Sequence, residues 1–374
     1  MLAAPTTAHA AARAAGTDRR FALPGDVYNA TPPRIVFGCG TSANIVEEVE
    51  RLGARRALVV STPGRRMMAG EVADRLGDRS VGLLAEAISQ VPIELARRGQ
   101  AAAREAGADC LVSVGGGASV GLGKGIALEL PVPIIAMPTT YSGSEMTGFC
   151  GITIDGVKRM HTSLSMLAST VIYDPELSIG LPVEVSAASA LNALAHCVDA
   201  VYVPTISPPN RLVAAEGAAV IVDAVRRVAA DPGDLGARSD LLYGGLLAGA
   251  ALTGGFALQH GLAHTLGGSF GVSHGLSHAL VLPHVAAYNA RFAADDMAGV
   301  AAAMGVASVG AAIFDLLGDL GLPTTLAEVG ISEDDVERIA AITVETDNGL
   351  NPGPVTAEAV REITLAALHG VRPE

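Results

Sequence analysis

From Leu241 to Ala290 the chain has no Asp, Glu, Lys or Arg, and five of its nine histidines, His260, His264, His274, His278 and His284, lie inside that stretch. Nothing else in the sequence constrains the fold as strongly, because so neutral a segment has to be buried, either in lipid or in a protein core. A membrane span needs about 20 continuous apolar residues. Here the run is broken by Gly244, Gly245, Gly254, Gly255, Gln259 and the histidines. We therefore read buried helices at the centre of a large soluble domain. The chain as a whole agrees: 50% of its 374 residues are hydrophobic and 17% charged, against about 25% charged in an ordinary soluble domain. That excludes disorder, and at roughly 100–200 residues per domain it suggests two domains.

The formal charge of −13 opposes binding to nucleic acid or anionic lipid unless a local basic face overcomes it. The Arg13, Arg19 and Arg20 group is too sparse to be one, and lacks interleaved aromatics. Cys39, Cys110, Cys150 and Cys197 are far apart and form no CxxC pair, which argues against a zinc knuckle or a disulfide framework and fits a reducing cytoplasm. Residues 1–25 lack a continuous apolar core and cleavage site, so the expectation is a frayed, disordered extension rather than a secretory signal.

The first half alternates short β-branched runs with Ala/Arg-rich helical stretches, the pattern of βαβ units and a parallel sheet. Strands are expected at Arg34–Phe37, Ala57–Ser61, Cys110–Val114, Ile134–Ala136 and Val171–Tyr173, with helices at Ile45–Leu52, Gly70–Leu76 and Leu95–Ala106. Thr41 or Ser42 is the candidate N-cap of the first helix. The alternation stops at Asp174–Pro175, and beyond Pro182 the spacing is helical throughout. The expected architecture is an α/β dinucleotide-binding domain over residues 26–181 followed by an all-α catalytic domain over 182–374, with the cleft between them as the default site.

Three features in the α/β half suit a dinucleotide. Gly38-Cys39-Gly40-Thr41-Ser42-Ala43 follows a strand and matches G-x-G-x-x-A, although such a turn needs no ligand. Gly115-Gly116-Gly117 follows the apolar strand ending at Val114 and precedes a helix containing Lys124. It exposes consecutive N–H groups at a positive helix end, and a plain β-turn-α connection would seldom need three glycines. Third, of 25 basic residues only Lys124 and Lys158 are lysines, which marks positions suited to a compact ammonium rather than a planar fork. Lys124 equally suits a stem packed along a helix; Lys158 is the firmer cofactor candidate. Ser61 ends the second strand where an acidic residue would reject a 2′-phosphate. With Arg65 and Arg66 nearby, NADPH should be tolerated beside NADH.

In the helical half, Asn192 and His196 are spaced i, i+4, as are His260 and His264, and His274 follows a Gly-rich turn. Three imidazoles with an open position would suit zinc or iron; equally, they can donate to a developing oxyanion. The spacing leaves both open.

The order of Phe37-Gly38-Cys39-Gly40, Gly115-Gly116-Gly117 with Lys124, Pro138-Thr139-Thr140 with Gly143-Ser144-Glu145, Asp174-Pro175-Glu176-Leu177, and His260-x3-His264-x9-His274 with Leu282-Pro283-His284 resembles the iron-containing alcohol dehydrogenase superfamily, which shares its architecture with dehydroquinate synthase. Within it, Gly121-Leu122-Gly123-Lys124, Tyr141-Ser142-Gly143-Ser144-Glu145-Met146-Thr147, Asn192-Ala193-Leu194-Ala195-His196 and Asn351-Pro352-x-Pro354-Val355 resemble the maleylacetate reductase branch. The resemblance implies NAD(P)H-dependent reduction of a conjugated C=C bond of maleylacetate to give 3-oxoadipate, in aromatic compound catabolism, by a homodimer. It implies that Gly115, Gly116 and Gly117 hold the pyrophosphate and that Thr139, Thr140, Ser142 and Lys158 line the nucleotide. In metal-dependent relatives an Asp lies four residues before the first ligand histidine. That position is Asn192 here, so no tightly bound metal is expected, and His196, His260 and His274, with His264 close by, become candidates for holding substrate and donating protons.

Two departures from the branch bear on the substrate. The run after Lys158 holds only Arg159, and Gly353 stands between the prolines where an arginine is common. Less positive charge favours a less anionic enone or ketone. The competing readings are a metal-dependent alcohol or aldehyde oxidoreductase of the same fold, a lyase of the dehydroquinate-synthase type, and a non-enzymatic binding protein.

Overall fold

A computed structural model describes residues 33–155 and 157–374. The expected extension over residues 1–25 lies outside the described residues. The strands are β1 Arg34–Phe37, β2 Ala57–Ser61, β3 Ser80–Leu84, β4 Cys110–Gly115, β5 Ile134–Pro138, β6 Phe149–Ile154, β7 Val157–Thr162 and β8 Thr170–Tyr173. Between them run α1 Ile45–Arg51, α2 Arg66–Leu76, α3 Ile93–Glu105 and α4 Gly117–Glu129. Beyond β8 the regular structure is helical: α5 Val183–Val201, α6 Pro208–Ala230, α7 Leu235–Leu252, α8 Leu258–Ser269, α9 His274–Ala290, α10 Ala294–Met304, α11 Val309–Asp319, α12 Val336–Glu345 and α13 Ala357–His369.

Six strands form one parallel sheet in the order β1-β8-β5-β4-β2-β3, and β6 and β7 form a separate antiparallel hairpin. Strands β2, β4, β5 and β8 are buried at every residue, which explains why they read as continuous apolar runs rather than alternating ones. All five expected strands are present, and β4 and β5 each run past their expected ends, so that Gly115 is the last residue of β4. The N-cap expected of Thr41 or Ser42 is not formed. Helix α1 starts at Ile45 after a 3₁₀ turn over Thr41–Asn44, without a side-chain cap, and the Thr41 hydroxyl instead donates to the Gly38 carbonyl at 2.6 Å.

The chain divides into two compact units. The described residues of one are 33–155, 157–189 and Arg227–Gly249; those of the other are Ala190–Arg226 and Ala250–Glu374. In the first, Ile45 and Val49 of α1 and Val72 and Leu76 of α2 pack on Val59, Val112, Val114, Ile135 and Ile172 of the sheet. Arg238 on α7 belongs to this unit because its guanidinium is fully buried there. It donates to the Tyr141 hydroxyl at 2.9 Å and to the carbonyls of Ser178, Leu181 and Pro232 at 2.5, 3.1 and 2.8 Å. Gly245 on the same helix meets the backbone of Tyr141, where a Cβ would come within 2.6 Å of the carbonyl oxygen.

In the second unit, Leu258, Leu262 and Leu266 repeat every fourth residue along α8 and pack with Val281 and Val285 of α9, Ile339 of α12 and Val360 and Ile363 of α13. Among the described residues no single helix is long and apolar enough to cross a membrane.

Candidate functional site

The connections from β2 and from β4 leave in opposite directions, β2 to β3 on one side and β4 to β5 and then β8 on the other. Open α/β sheets bind ligands in the crevice at the carboxyl ends of two such strands. Here those ends are Ser61 and Gly115, with Ser61 in register with Val114. Gly116 is the N-cap of α4 and has no side-chain cap, so the positive end of that helix carries no anion from the protein's own side chains. The loop after β5 closes over it. A Cβ on Gly116 would lie 2.7 Å from Cγ2 of Thr140, and one on Gly117 would touch Ser142 at 3.5 Å. The hydroxyls of Thr139 and Ser119 are buried without a hydrogen-bond partner. Uncapped helix end, Cβ-free cradle and spare hydroxyls together fit a pyrophosphate. The structure thus gathers Gly115, Gly116, Gly117, Thr139, Thr140 and Ser142 at one place. Ser61 is adjacent but buried, with its hydroxyl donating to the Thr62 carbonyl at 3.2 Å.

Gly38 and Gly40 lie elsewhere in this unit. Their turn follows β1, the edge strand, three strand spacings from β4, or about 14 Å at ~4.8 Å per step. The turn already holds an anion: the buried Asp174 carboxylate accepts the N–H groups of Gly40 at 3.1 Å and Ser42 at 2.9 Å.

The two lysines have different surroundings. Lys124 is buried, donating to the carbonyls of Ser144 at 2.5 Å and Phe149 at 2.8 Å and to the Thr147 hydroxyl at 3.0 Å. Burial lowers its pKa to about 8, with Cys150 and Glu145 acting in the opposite direction. It ties the segment after the nucleotide loop to α4. Lys158, half-buried on β7, lays its stem across Gly151 of β6 and is likewise lowered to about 8 by burial.

The second unit assembles the histidines. His196 stacks on His260 with ring centroids 5.1 Å apart, and His264 and His274 stack at 6.2 Å. His278, fully buried, stands between them, 4.8 Å from both His260 and His274, 5.9 Å from His264 and 6.0 Å from His196. Burial and the neighbouring imidazoles push His196 and His278 well below the ordinary histidine range, so both rings are neutral at pH 7. The Asn192 Oδ1, His196 Nδ1 and His260 Nε2 atoms, and both ring nitrogens of His278, are buried without hydrogen-bond partners. Asn192, His196, His260, His264 and His274 are all in this unit, but the hub residue is His278, which spacing alone did not single out. Asp199 was missed too. It lies one turn beyond His196 on α5, and its Oδ2 meets His260 Nδ1 at 2.6 Å. That Asp199 is an isolated acid on the apolar Asn192–His196 face was the available signal.

The same set tests the fit of a metal. Among the described residues no three His, Cys, Asp or Glu side chains converge as an ion would require. Asn192 offers a neutral oxygen, and both oxygens of Asp199 are engaged by Tyr202, Ala257 and His260. With a neutral amide at Asn192 and the Asp199 carboxylate already engaged, the set offers no spare anionic oxygen and is a poor fit for a tightly held divalent ion.

A parallel sheet with its switch point beside a glycine cradle, and a helical unit built round buried imidazoles, define an oxidoreductase of the nicotinamide-dinucleotide class. The chain belongs to the iron-containing alcohol dehydrogenase family: residues 32–175 match the model of iron-containing alcohol dehydrogenases and residues 186–368 that of the family's C-terminal domain. Use of NAD(P)H follows from that membership. A maleylacetate reductase of Burkholderia cepacia is 44% identical over 348 residues, 93% of this chain and 99% of the relative. The crystal structure of maleylacetate reductase from Agrobacterium tumefaciens superposes with a TM-score of 0.88 at 42% identity, covering 94% of this chain and 100% of that one. The corresponding structure from Rhizobium sp. strain MTP-10005 gives 0.88 at 41% identity over 94% and 100%. The resemblance to the maleylacetate reductase branch, and the α/β plus all-α architecture it implied, are borne out.

Proposed function

We propose that the protein reduces the conjugated C=C bond of maleylacetate, giving 3-oxoadipate, or of a related, less anionic enone or ketone, with NADH or NADPH. The observation that carries this reading is near end-to-end similarity to maleylacetate reductases in a chain whose described residues bring no three His, Cys, Asp or Glu side chains together as a metal would require. Bound NAD(P)H supplies a hydride. The backbone of Gly115, Gly116 and Gly117 binds the pyrophosphate, and Thr139, Thr140, Ser142 and Lys158 line the nucleotide; Ser61 sits too deep to contact the ribose.

Hydride addition at the carbon β to the ketone leaves an enolate oxygen, because the conjugated carbonyl already polarises the double bond. Imidazole N–H groups and the side-chain amide can donate to substrate oxygens, so His196, with the Asn192 amide and His274, is suited to hold the substrate, while His260, with His264 beside it, stabilises and protonates the enolate. The four cysteines are free thiols, in keeping with a cytoplasmic enzyme, and we expect a homodimer.

The test is loss of nicotinamide absorbance with maleylacetate and with neutral enones, using NADH and NADPH, before and after chelation. Turnover that survives thorough demetallation is expected. Activity that vanishes on demetallation and returns with iron or zinc would overturn the metal-free reading; no turnover of any enone would overturn the reductase reading.

A further inference from the structure

The carboxylate of Asp199 is buried and surrounded by donors. Its Oδ1 accepts from the Tyr202 hydroxyl at 2.6 Å, and its Oδ2 accepts the backbone N–H of Ala257 at 2.7 Å and of His260 at 3.4 Å. The remaining contact is His260 Nδ1, 2.6 Å from the same Oδ2. A carboxylate that accepts on both oxygens requires the N–H of His260 to sit on Nδ1. That leaves Nε2 as the free end of the ring, buried and without a partner in the protein.

The titratable groups that face this ring are Asp199 and His196 on α5, His264 on α8 and His278 on α9, with the Phe256 ring packed on it at 5.0 Å and Tyr202, just past the end of α5, facing Asp199. His196 and His278 are held neutral by burial. A positive charge entering the cluster is stabilised where an anion is in contact with the ring, and that place is His260.

We propose that Asp199 is a positioning residue for the reduction: it fixes His260 as the Nδ1–H tautomer and stabilises the imidazolium whose Nε2–H is delivered to the enolate. This rests on the reductase reading above. The balance is simple. The hydride brings two electrons and one hydrogen to the β-carbon, and the Nε2–H bond of His260 breaks as the enolate takes the proton. His260 is left neutral with Nδ1–H still on Asp199, and water returns the proton to Nε2 by way of the half-buried His264 and His274.

Two measurements test this. In the free wild-type protein with ¹⁵N-labelled histidine, one buried imidazole should show a protonated Nδ1 and an unprotonated Nε2 when neutral, and Asp199→Asn should abolish that signature. In steady state Asp199→Asn should lower kcat roughly 10²–10⁴-fold while NADH binding, read by fluorescence, stays within about twofold. Finding His260 as the Nε2–H tautomer in the wild type, or a kcat within threefold of wild type in Asp199→Asn, overturns the proposal. If Asp199→Asn does not fold, Tyr202→Phe carries the kinetic test: removing one donor to Oδ1 should lower kcat several-fold with unchanged NADH binding, and an unchanged kcat overturns the proposal equally. The tautomer is read without substrate. A chain that reduces no enone yet shows the Nδ1–H signature would sink the functional reading alone.

Discussion

Asp174 closes the turn after β1 by accepting the backbone N–H of Ser42 at 2.9 Å. The same carboxylate takes the N–H groups of Gly40 and Glu176, each at 3.1 Å. A G-x-G-x-x-A turn is therefore stabilised here by an anion the protein supplies itself. Asp174→Ala should strand these donors and lower the unfolding free energy by about 2–4 kcal/mol in urea denaturation, with KM for NADH changed less than twofold. A tenfold rise in KM would instead return Gly38 and Gly40 to the cofactor site.

The glycine cradle predicts the opposite pattern. In Gly116→Ala the new methyl would fall 2.7 Å from Cγ2 and 2.9 Å from Oγ1 of Thr140, so the loop after β5 must move off the end of α4. Backbone approach to the pyrophosphate is what suffers. NADH KM should rise at least tenfold while thermal stability falls little, and an unchanged KM would remove this loop from the cofactor site.

These two glycine loops show how far the sequence carries. Both read alike as strand-turn-helix punctuation; what separates them is the long-range partner, Asp174 for one and Thr140 for the other, and pairing over such distances leaves no local pattern. The buried strands were legible because parallel central strands are apolar throughout. Strand β3 was not, since Gly82 at φ 153° sits at its centre beside a register shift against β2. The hairpin was hidden as well: Lys158, His161 and Arg159 make β7 look like a polar loop. In the helical unit the i, i+4 histidine pairs were visible from spacing. Asp199 was not, because its partners Ala257 and His260 lie on the far side of two intervening helices in sequence.

Gly353 raises a question of substrate charge that packing answers in part. A Cβ there would meet Cδ2 of Phe292 at 2.5 Å and Cε1 of Tyr288 at 2.8 Å. The Tyr288 hydroxyl is itself committed to the Pro354 carbonyl at 2.6 Å. Gly353→Arg should therefore cost roughly 1–3 kcal/mol of stability without raising kcat/KM for maleylacetate relative to a neutral enone. A stable Gly353→Arg variant with a gained preference for the dicarboxylate would show that this position sets substrate charge directly.

His284 makes the acid stability of the fold measurable. It is buried on α9 against Phe314, ring centroids 6.1 Å apart, with Nε2 unpartnered, and burial lowers its pKa from 6.5 to about 4. The folded chain thus binds a proton here less readily than the unfolded one. Well above pH 6.5 neither state is protonated and stability is at its full value; as pH falls through 6.5 toward 4 the unfolded state takes the proton first and stability falls. At 1.36 kcal/mol per pH unit this one site accounts for about 3 kcal/mol by pH 4. His196 and His278, lowered in the same direction by burial and neighbouring imidazoles, add to the loss on acidification. His284→Leu keeps an apolar contact with Phe314 and removes the titrating group. Its urea-unfolding free energy should decline less steeply than that of the wild type between pH 6.5 and 4, with the two curves differing by a constant above pH 7. Parallel curves across the whole range would mean that His284 takes up its proton equally well in both states.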